Sequence, residues 1–192
     1  MAIEHVTGVV LAAGLSRRLG TPKQLLPYGD TTLLGATLDV ARACAFDQLI
    51  VTIGAGLPPL GTVLDGTQPV VVPVGATGCS SSFRAALSVV DARAAGLVLL
   101  LGDQPTVAPT TVADLLSGRG DAALAVCRYR DGIGHPFWLG RARFGELEGL
   151  HGDKAVWKLV DRGPVREVPI DADVPPDVDT WDDYRRLLAV AS

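Results

Sequence analysis

The sequence predicts an α/β fold, a single doubly wound domain over residues 1–192 in which a mostly parallel sheet carries helices on both faces. Three features predict it. An apolar run, residues 6–12, gives way to a loop, a stretch of helical periodicity and a second apolar run at 48–53, the order of a βαβ unit with a right-handed crossover. Residues 96–101 form the most continuous apolar run of the chain, as expected of a strand covered on both faces. Both the first and this central run end in polar, glycine-containing loops, at the edge where open α/β sheets bind ligands.

The elements follow in order. After the first strand a loop extends to the turn-forming cluster Pro27-Tyr28-Gly29-Asp30. Thr31 or Thr32 then caps a helix over 33–45, with Leu34, Leu38 and Ala41 on one face. Pro58-Pro59 interrupts a second long helix and leaves room for a short one at 60–64, before a short strand at 69–73. A Gly- and hydroxyl-rich loop at 75–84 precedes a helix over 85–95. Beyond the central strand come a helix at 107–116 and a strand at 122–127, then a less regular stretch in which 131–136 forms a loop or hairpin bend. Short helices at 141–147 and 153–161, a strand at 165–170 and a closing helix at 184–190 complete the chain. Thr180 and Asp183 have the spacing of a capping motif.

A chain of 192 residues buries a substantial core within one domain. Its apolar runs are broken by Gly, Pro or charge before the roughly 18 residues of a membrane span. The beginning, Met1-Ala2-Ile3-Glu4-His5, lacks the basic start of a secretion signal, so a cytoplasmic location is expected. A net charge of −4, with no basic stretch beyond the loop after the first strand long enough to follow a phosphate backbone, argues against nucleic acid as a partner. Cys44, Cys79 and Cys127 are far apart and odd in number, which disfavours a disulfide framework and a zinc cluster.

The loop after the first strand carries the chemistry. Its small residues Ala12, Ala13 and Gly14 let backbone N–H groups approach an anion, and Arg17, Arg18 and Lys23 supply charge-assisted hydrogen bonds. It is not a Walker A loop, since five residues separate Gly14 from Gly20 and Thr21-Pro22 precede Lys23. Nor is it the dinucleotide fingerprint, because no glycine stands two residues after Gly14. The residues alone leave two readings open, a phosphate cradle and an ordinary strand-to-helix turn. Asp103, at the end of the central strand, is either a Mg²⁺ ligand or a cap for the turn before Pro105. Ser80, Ser81 and Ser82 either cap a helix or offer hydroxyls to a polar ligand. His135 is a contact for an anionic acceptor or a turn histidine, and Asp153 is an acceptor contact or a helix cap.

Leu-Ala-Ala-Gly-x-Ser-x-Arg-x-Gly-x-Pro-Lys, from Leu11 to Lys23, closely resembles the signature of the MobA-like nucleotidyltransferases, in particular the molybdenum cofactor cytidylyltransferase branch. The resemblance implies a Rossmann-like domain in which Leu11, Ala12, Ala13 and Gly14 approach a nucleotide and the loop wraps an NTP triphosphate. It implies that Arg18 and Lys23 bind the phosphates, while Arg17 occupies a variable position. Gly78 with Ser80, Ser81 and Ser82 looks like the family's second nucleotide-contacting loop. Gly102-Asp103-Gln104-Pro105 resembles its Gly-Asp-x-Pro element, which makes Asp103 a metal ligand, and by analogy Asp179 of Asp177-x-Asp179-Thr180 assists. Gly134-His135-Pro136 and Gly152-Asp153 are similar to elements bordering the acceptor site. One departure stands out: where the family often reads Gly-Asp-x-Gly-Ala-Arg, this chain has Gly152-Asp153-Lys154-Ala155-Val156-Trp157.

The implied activity is a Mg²⁺-dependent transfer of NMP from an NTP to a phosphorylated small-molecule acceptor, with pyrophosphate released. Arg18, Lys23 and Asp103 would be its catalytic residues. Ala13 points to CTP, and molybdopterin is the first acceptor to consider, with a molybdoenzyme or its chaperone as a further partner. Two other readings stand beside it. An NAD(P)-dependent oxidoreductase on a Rossmann-like sheet is opposed by the missing glycine fingerprint and by Asp103. A non-catalytic nucleotide-binding regulator or cofactor chaperone is kept open by Trp157.

Overall fold

Along β1 (Val6–Ala12) successive side chains point to opposite faces of the sheet, and both faces are buried. Val10 and Ala12 enter one apolar cluster, Val9 and Leu11 the other. A strand apolar on both sides has to lie inside a sheet covered by helices, and the computed structural model, which describes residues 4–73, 79–148, 157–161 and 163–191, places it there. After β1 come a small hairpin, β2 (Pro27–Tyr28) and β3 (Thr31–Thr32), then β4 (Gln48–Gly54), β5 (Gln68–Val72) and β6 (Gly96–Leu101). β7 (Leu124–Arg128), β8 (Ile133–Gly140) and β9 (Arg166–Pro169) complete the strands described. The helices are α1 (Leu33–Ala43), α2 (Cys79–Leu87), α3 (Pro109–Gly118), α4 (Phe144–Glu148), α5 (Trp157–Val160) and α6 (Trp181–Ala191).

Among the described residues seven strands form one sheet in the order β5-β4-β1-β6-β8-β7-β9. All pair in parallel except β8, which runs against both of its neighbours, so the expected mostly parallel α/β sheet is present. Leu34 and Leu38 of α1 and Val112 and Leu115 of α3 cover one face, together with Val98 and Leu100 of β6. Phe83 and Ala86 of α2 and Leu159 of α5 cover the other, against Leu97, Leu99 and Phe137. Each fully buried Val, Leu or Phe side chain among these contributes roughly 1.5–3 kcal/mol of transfer free energy. α6 packs separately, with Leu187 and Tyr184 on Leu19, Leu26, Leu33 and Val178. Among the described residues no helix is long and apolar enough to cross a membrane.

Several boundaries depart from sequence expectation, each for a local reason. Thr32 is the cap of α1, its side chain accepting the Gly35 N–H at 3.1 Å. α2 starts at Cys79, six residues before the helix expected over 85–95, because burying Phe83 and Ala86 on one face needs the turn that contains Ser80 to Ser82. It ends at Leu87, after which the chain folds back onto Gln48, whose side chain donates to the Val89 carbonyl and accepts from the Asp91 N–H. α3 begins two residues later than expected, with Pro109 in its first turn. The bend expected at 131–136 is confined to residues 129–132, and Gly134, His135 and Pro136 belong to β8. β7 pairs with Gly134 on one side of this segment and with Phe137 on the other, and β6 pairs from Phe137 onward, so the strand is held on either side of His135 and Pro136. The register with β7 slips here, since Val126 faces Phe137 while Cys127 faces Gly134, so His135 and Pro136 form a bulge.

β1 and β6 close tightly at their ends. Gly102 donates its N–H to the Leu11 carbonyl at 2.9 Å, and a Cβ at Gly102 would lie 2.7 Å from the Ala12 Cβ. Gly102→Ala is therefore expected to destabilise the fold by about 1–3 kcal/mol. Urea denaturation checks this as a lower midpoint at unchanged slope; an unchanged midpoint would mean the strand ends separate freely.

His135 is 7% exposed and stacks on Phe137 with ring centroids 4.2 Å apart. Burial pushes its pKa from 6.5 down to about 4, so the native imidazole is neutral at neutral pH. Between those values the unfolded chain takes up a proton that the native state does not. This contribution to stability is thus complete above about 6.5 and is lost as pH falls toward about 4. Chemical denaturation at pH about 7.5 and about 5 is expected to show this loss, reduced in His135→Gln; parallel profiles would remove His135 as its source.

Candidate active site

From β1 the chain passes through α1 to β4 on one side, while β6 lies on the other side of β1, so the C-terminal ends of β1 and β6 flank the point where strand order reverses. Open α/β sheets bind ligands at such a point. The loop leaving β1 is shaped by two polar side chains. Ser16 adopts a left-handed backbone (φ 48°), its carbonyl accepts the N–H groups of Leu19 at 3.0 Å and Gly20 at 3.2 Å, and its hydroxyl accepts the Lys23 N–H at 3.0 Å. Left-handed non-glycine residues are uncommon and concentrate at functional sites. Gln24, 2% exposed, donates from Nε2 to the carbonyls of Ala12 at 2.6 Å and Gly14 at 3.0 Å, which turns both carbonyls inward. Leu19 anchors the outer turn of the loop in the α6 cluster.

Lys23 emerges from this loop into the centre of the site. Its ammonium donates to Asp103 Oδ2, to the Val178 carbonyl at 2.9 Å and to Asp179 Oδ1 at 3.0 Å. Arg18 reaches the other oxygen of Asp179 at 3.2 Å. The two contacts differ in weight. Arg18 and Asp179 are 72% and 55% exposed, and an ion pair in such solvent contributes at most about 1 kcal/mol. Lys23 and Asp103 are 15% and 11% exposed, where removing one partner leaves a desolvated charge at a cost of about 3–5 kcal/mol. Burial pulls the Lys23 ammonium down, but the charge and hydrogen bonds of Asp103 and Asp179 outweigh it and hold its pKa above the usual lysine value. Desolvation, reinforced by the charge of Asp103, pushes Asp177 up to about 6 against the pull of Lys23.

The acidic segment before α6 is fixed by what lies between its carboxylates. Val178 is fully buried, and its neighbours Asp177 and Asp179 are held on the open side. Gln104, next to Asp103, donates from Nε2 to the Pro175 carbonyl at 2.8 Å and to Asp177 Oδ1 at 2.5 Å, tying this segment to the end of β6. Ser16, Gln24, Gln104 and Asp177 were not among the residues expected from sequence. Their signal lay in the quoted motifs, where Ser16 and Gln24 belong to or adjoin the loop and Gln104 and Asp177 adjoin the carboxylates.

Of the residues expected at the site, Leu11 and Ala12 end β1, Ala13 and Gly14 open the loop, and Arg17 is exposed on its outer side. Arg18, Lys23, Asp103 and Asp179 come together as described. Ser80, Ser81 and Ser82 lie in the first turn of α2 rather than in a loop, Ser80 and Ser82 buried and Ser81 half-buried. Gly78 and Asp153 lie outside the described residues. His135 sits at the ligand-side end of β8, and Trp157, at the start of α5, meets it edge-on at 6.1 Å and meets Phe137 at 5.1 Å. The residue that departs from the expected acceptor element therefore packs against the expected acceptor histidine.

The donor set at the centre suits a hard divalent cation. Asp103 and Asp179 already converge on one positive charge and present only oxygen. Among the described residues no three His, Cys, Asp or Glu side chains are grouped as a metal cage. Two carboxylates with phosphate and water completing the shell is the usual way Mg²⁺ is held.

Rv0371c from Mycobacterium tuberculosis H37Rv is 57% identical, with 98% of this chain and all of that one covered and a TM-score of 0.89. A complex of Rv0371c with manganese is 56% identical over 96% of this chain and 98% of that one, with a TM-score of 0.83. Nicotine blue oxidoreductase from Paenarthrobacter nicotinovorans is 32% identical over 127 residues, which span 65% of this chain and 62% of that protein. The model of the MobA-like NTP transferase domain matches residues 8–168. With that match running from β1 into β9, the chain belongs to the MobA-like NTP transferase domain family.

Proposed function

We propose that the protein transfers NMP from an NTP, CTP first, to a phosphorylated small-molecule acceptor with molybdopterin the first candidate, releasing pyrophosphate. The observation that carries this reading is the meeting, at one sheet edge, of the Gly14–Lys23 loop with the carboxylates of Asp103 and Asp179. In it the triphosphate lies along the loop, bound by backbone N–H groups from Ala13 and Gly14 onward and by Arg18, Arg17 and Lys23. Asp103 and Asp179 would hold Mg²⁺, which would supply charge neutralisation for the phosphates. A phosphate oxygen of the acceptor attacks the α-phosphorus in line; one P–O bond forms as the bond to pyrophosphate breaks, and Arg18 and Lys23 stabilise the departing charge. No covalent enzyme intermediate is required.

The first turn of α2, with Ser80, Ser81 and Ser82, faces the base in this reading, and the acceptor enters beside His135 and Trp157. A neutral His135 offers the acceptor a hydrogen bond or a ring face rather than a charge. A molybdoenzyme or its chaperone as recipient of the product, and a cytoplasmic location, belong to the same reading. The relative named as nicotine blue oxidoreductase supports a second one, NAD(P)-dependent reduction on the same sheet.

Incubation with each NTP, Mg²⁺ and molybdopterin is expected to release pyrophosphate with CTP, and Asp103→Asn to lower turnover by about 100-fold or more when assayed below its own melting temperature, which falls with the loss of the Lys23–Asp103 pair. Unchanged turnover in Asp103→Asn would remove that carboxylate from the mechanism. NAD(P)H oxidation without pyrophosphate release would favour the oxidoreductase, and nucleotide binding without turnover the regulator.

A further inference from the structure

The three N–H donors of the Lys23 ammonium are all engaged, by Asp103, by the Val178 carbonyl and by Asp179. An ammonium has no fourth donor. Lys23 therefore cannot take a phosphate oxygen without releasing one of these partners, and a divalent cation between the two carboxylates would compete with, and be repelled by, the ammonium that spans them. We propose that Lys23 is an internal stand-in for the metal, and that nucleotide and metal enter by exchange: the triphosphate draws the ammonium off Asp103 and Asp179, and the two carboxylates then receive the divalent cation. This inference rests on the reading of Asp103 and Asp179 as metal ligands.

The surroundings fit an exchange. Lys23 is fixed at its backbone by the Ser16 hydroxyl, so only its side chain has to swing. The carboxylates are held from behind, Asp179 beside the buried Val178 and Asp103 at the tight end of β6, so they keep their convergence when the ammonium leaves. Arg18 shares Asp179 from the solvent side and is a second cation that a triphosphate can recruit. The consequence is a binding order, with the metal accepted well only with, or after, the nucleotide.

The test uses Mn²⁺ titrated into the full-length protein and followed by the paramagnetic resonance of the free ion, with and without a non-hydrolysable CTP analogue. Wild type is expected to bind Mn²⁺ weakly alone and at least about tenfold more tightly with the analogue. Lys23→Met is expected to bind Mn²⁺ alone about tenfold or more tightly than wild type, the equivalent of one charge-assisted contact, and to gain less from the analogue. Lys23→Arg, which keeps a competing cation, is expected to resemble wild type. Equal Mn²⁺ affinity of wild type and Lys23→Met, with binding abolished in Asp103→Asn, overturns the exchange and leaves the carboxylates as metal ligands. Mn²⁺ binding that survives in the Asp103→Asn, Asp179→Asn double variant overturns the metal reading and the exchange with it. A melting curve of each variant, taken with and without Mn²⁺, shows that the protein titrated is folded and repeats the comparison as a shift of midpoint.

Discussion

One ammonium holds together parts of the chain that lie 80 and 156 residues apart. Lys23 links the loop after β1 to Asp103 at the end of β6 and to Asp179 before α6. A buried lysine is unfavourable unless its charge is met, and here it is met twice. Two carboxylates turned toward one another are unfavourable in the same way without a cation between them. Each group thus depends on the others to have its charge met, while the position of the acidic segment is set by the packing of Val178 and the bonds of Gln104.

Packing and polar bridging divide the work around this centre. Val178 in its apolar cluster sets where Asp177 and Asp179 stand, and Gln104 fastens the segment to β6. On the other flank Gln24 gathers the carbonyls of Ala12 and Gly14, and Ser16 closes the loop on itself. The buried amides connect backbone to backbone across the site, so the charged residues meet in a frame that is already assembled.

The parallel half of the fold was legible in the sequence. β1, β4 and β6 are apolar runs that end at glycine or small residues, and α1 carries its cap and its stripe in plain view. β8 was not, because Gly134-His135-Pro136 has the composition of a bend, and it is the pairing of Ile133 and Gly134 with β7 and of residues 137–140 with β6 and β7 that carries the strand through it as a bulge. α2 was misplaced because serines at a helix start resemble loop, and only the burial of Phe83 and Ala86 decides the matter. At the site, Arg18, Lys23, Asp103 and Asp179 were each visible as motif residues, but motif reading assigned Lys23 to phosphate and the carboxylates to metal. That they bind each other follows from three segments converging in space. Gln24 and Gln104 carry no periodicity or charge to announce them, since their role is to satisfy backbone groups that exist only in the folded chain.

The reversed direction of β8 divides the site in a way that bears on how such a protein diversifies. On the parallel strands the residues that reach the ligand edge come after the strand, in long loops whose shape depends on the strand before them. On β8 they come before it, from a turn of residues 129–132 closed by the Tyr129 N–H on the Gly132 carbonyl. Trp157 touches His135 and Phe137, whereas the hairpin is tied to residues 172–174 by the Arg130 N–H on the Ala172 carbonyl and the Val174 N–H on Asp131, and through them to the segment that Gln104 holds. A change at position 157 therefore alters what stands beside His135 from a segment separate in sequence from the loop of Lys23 and the end of β6.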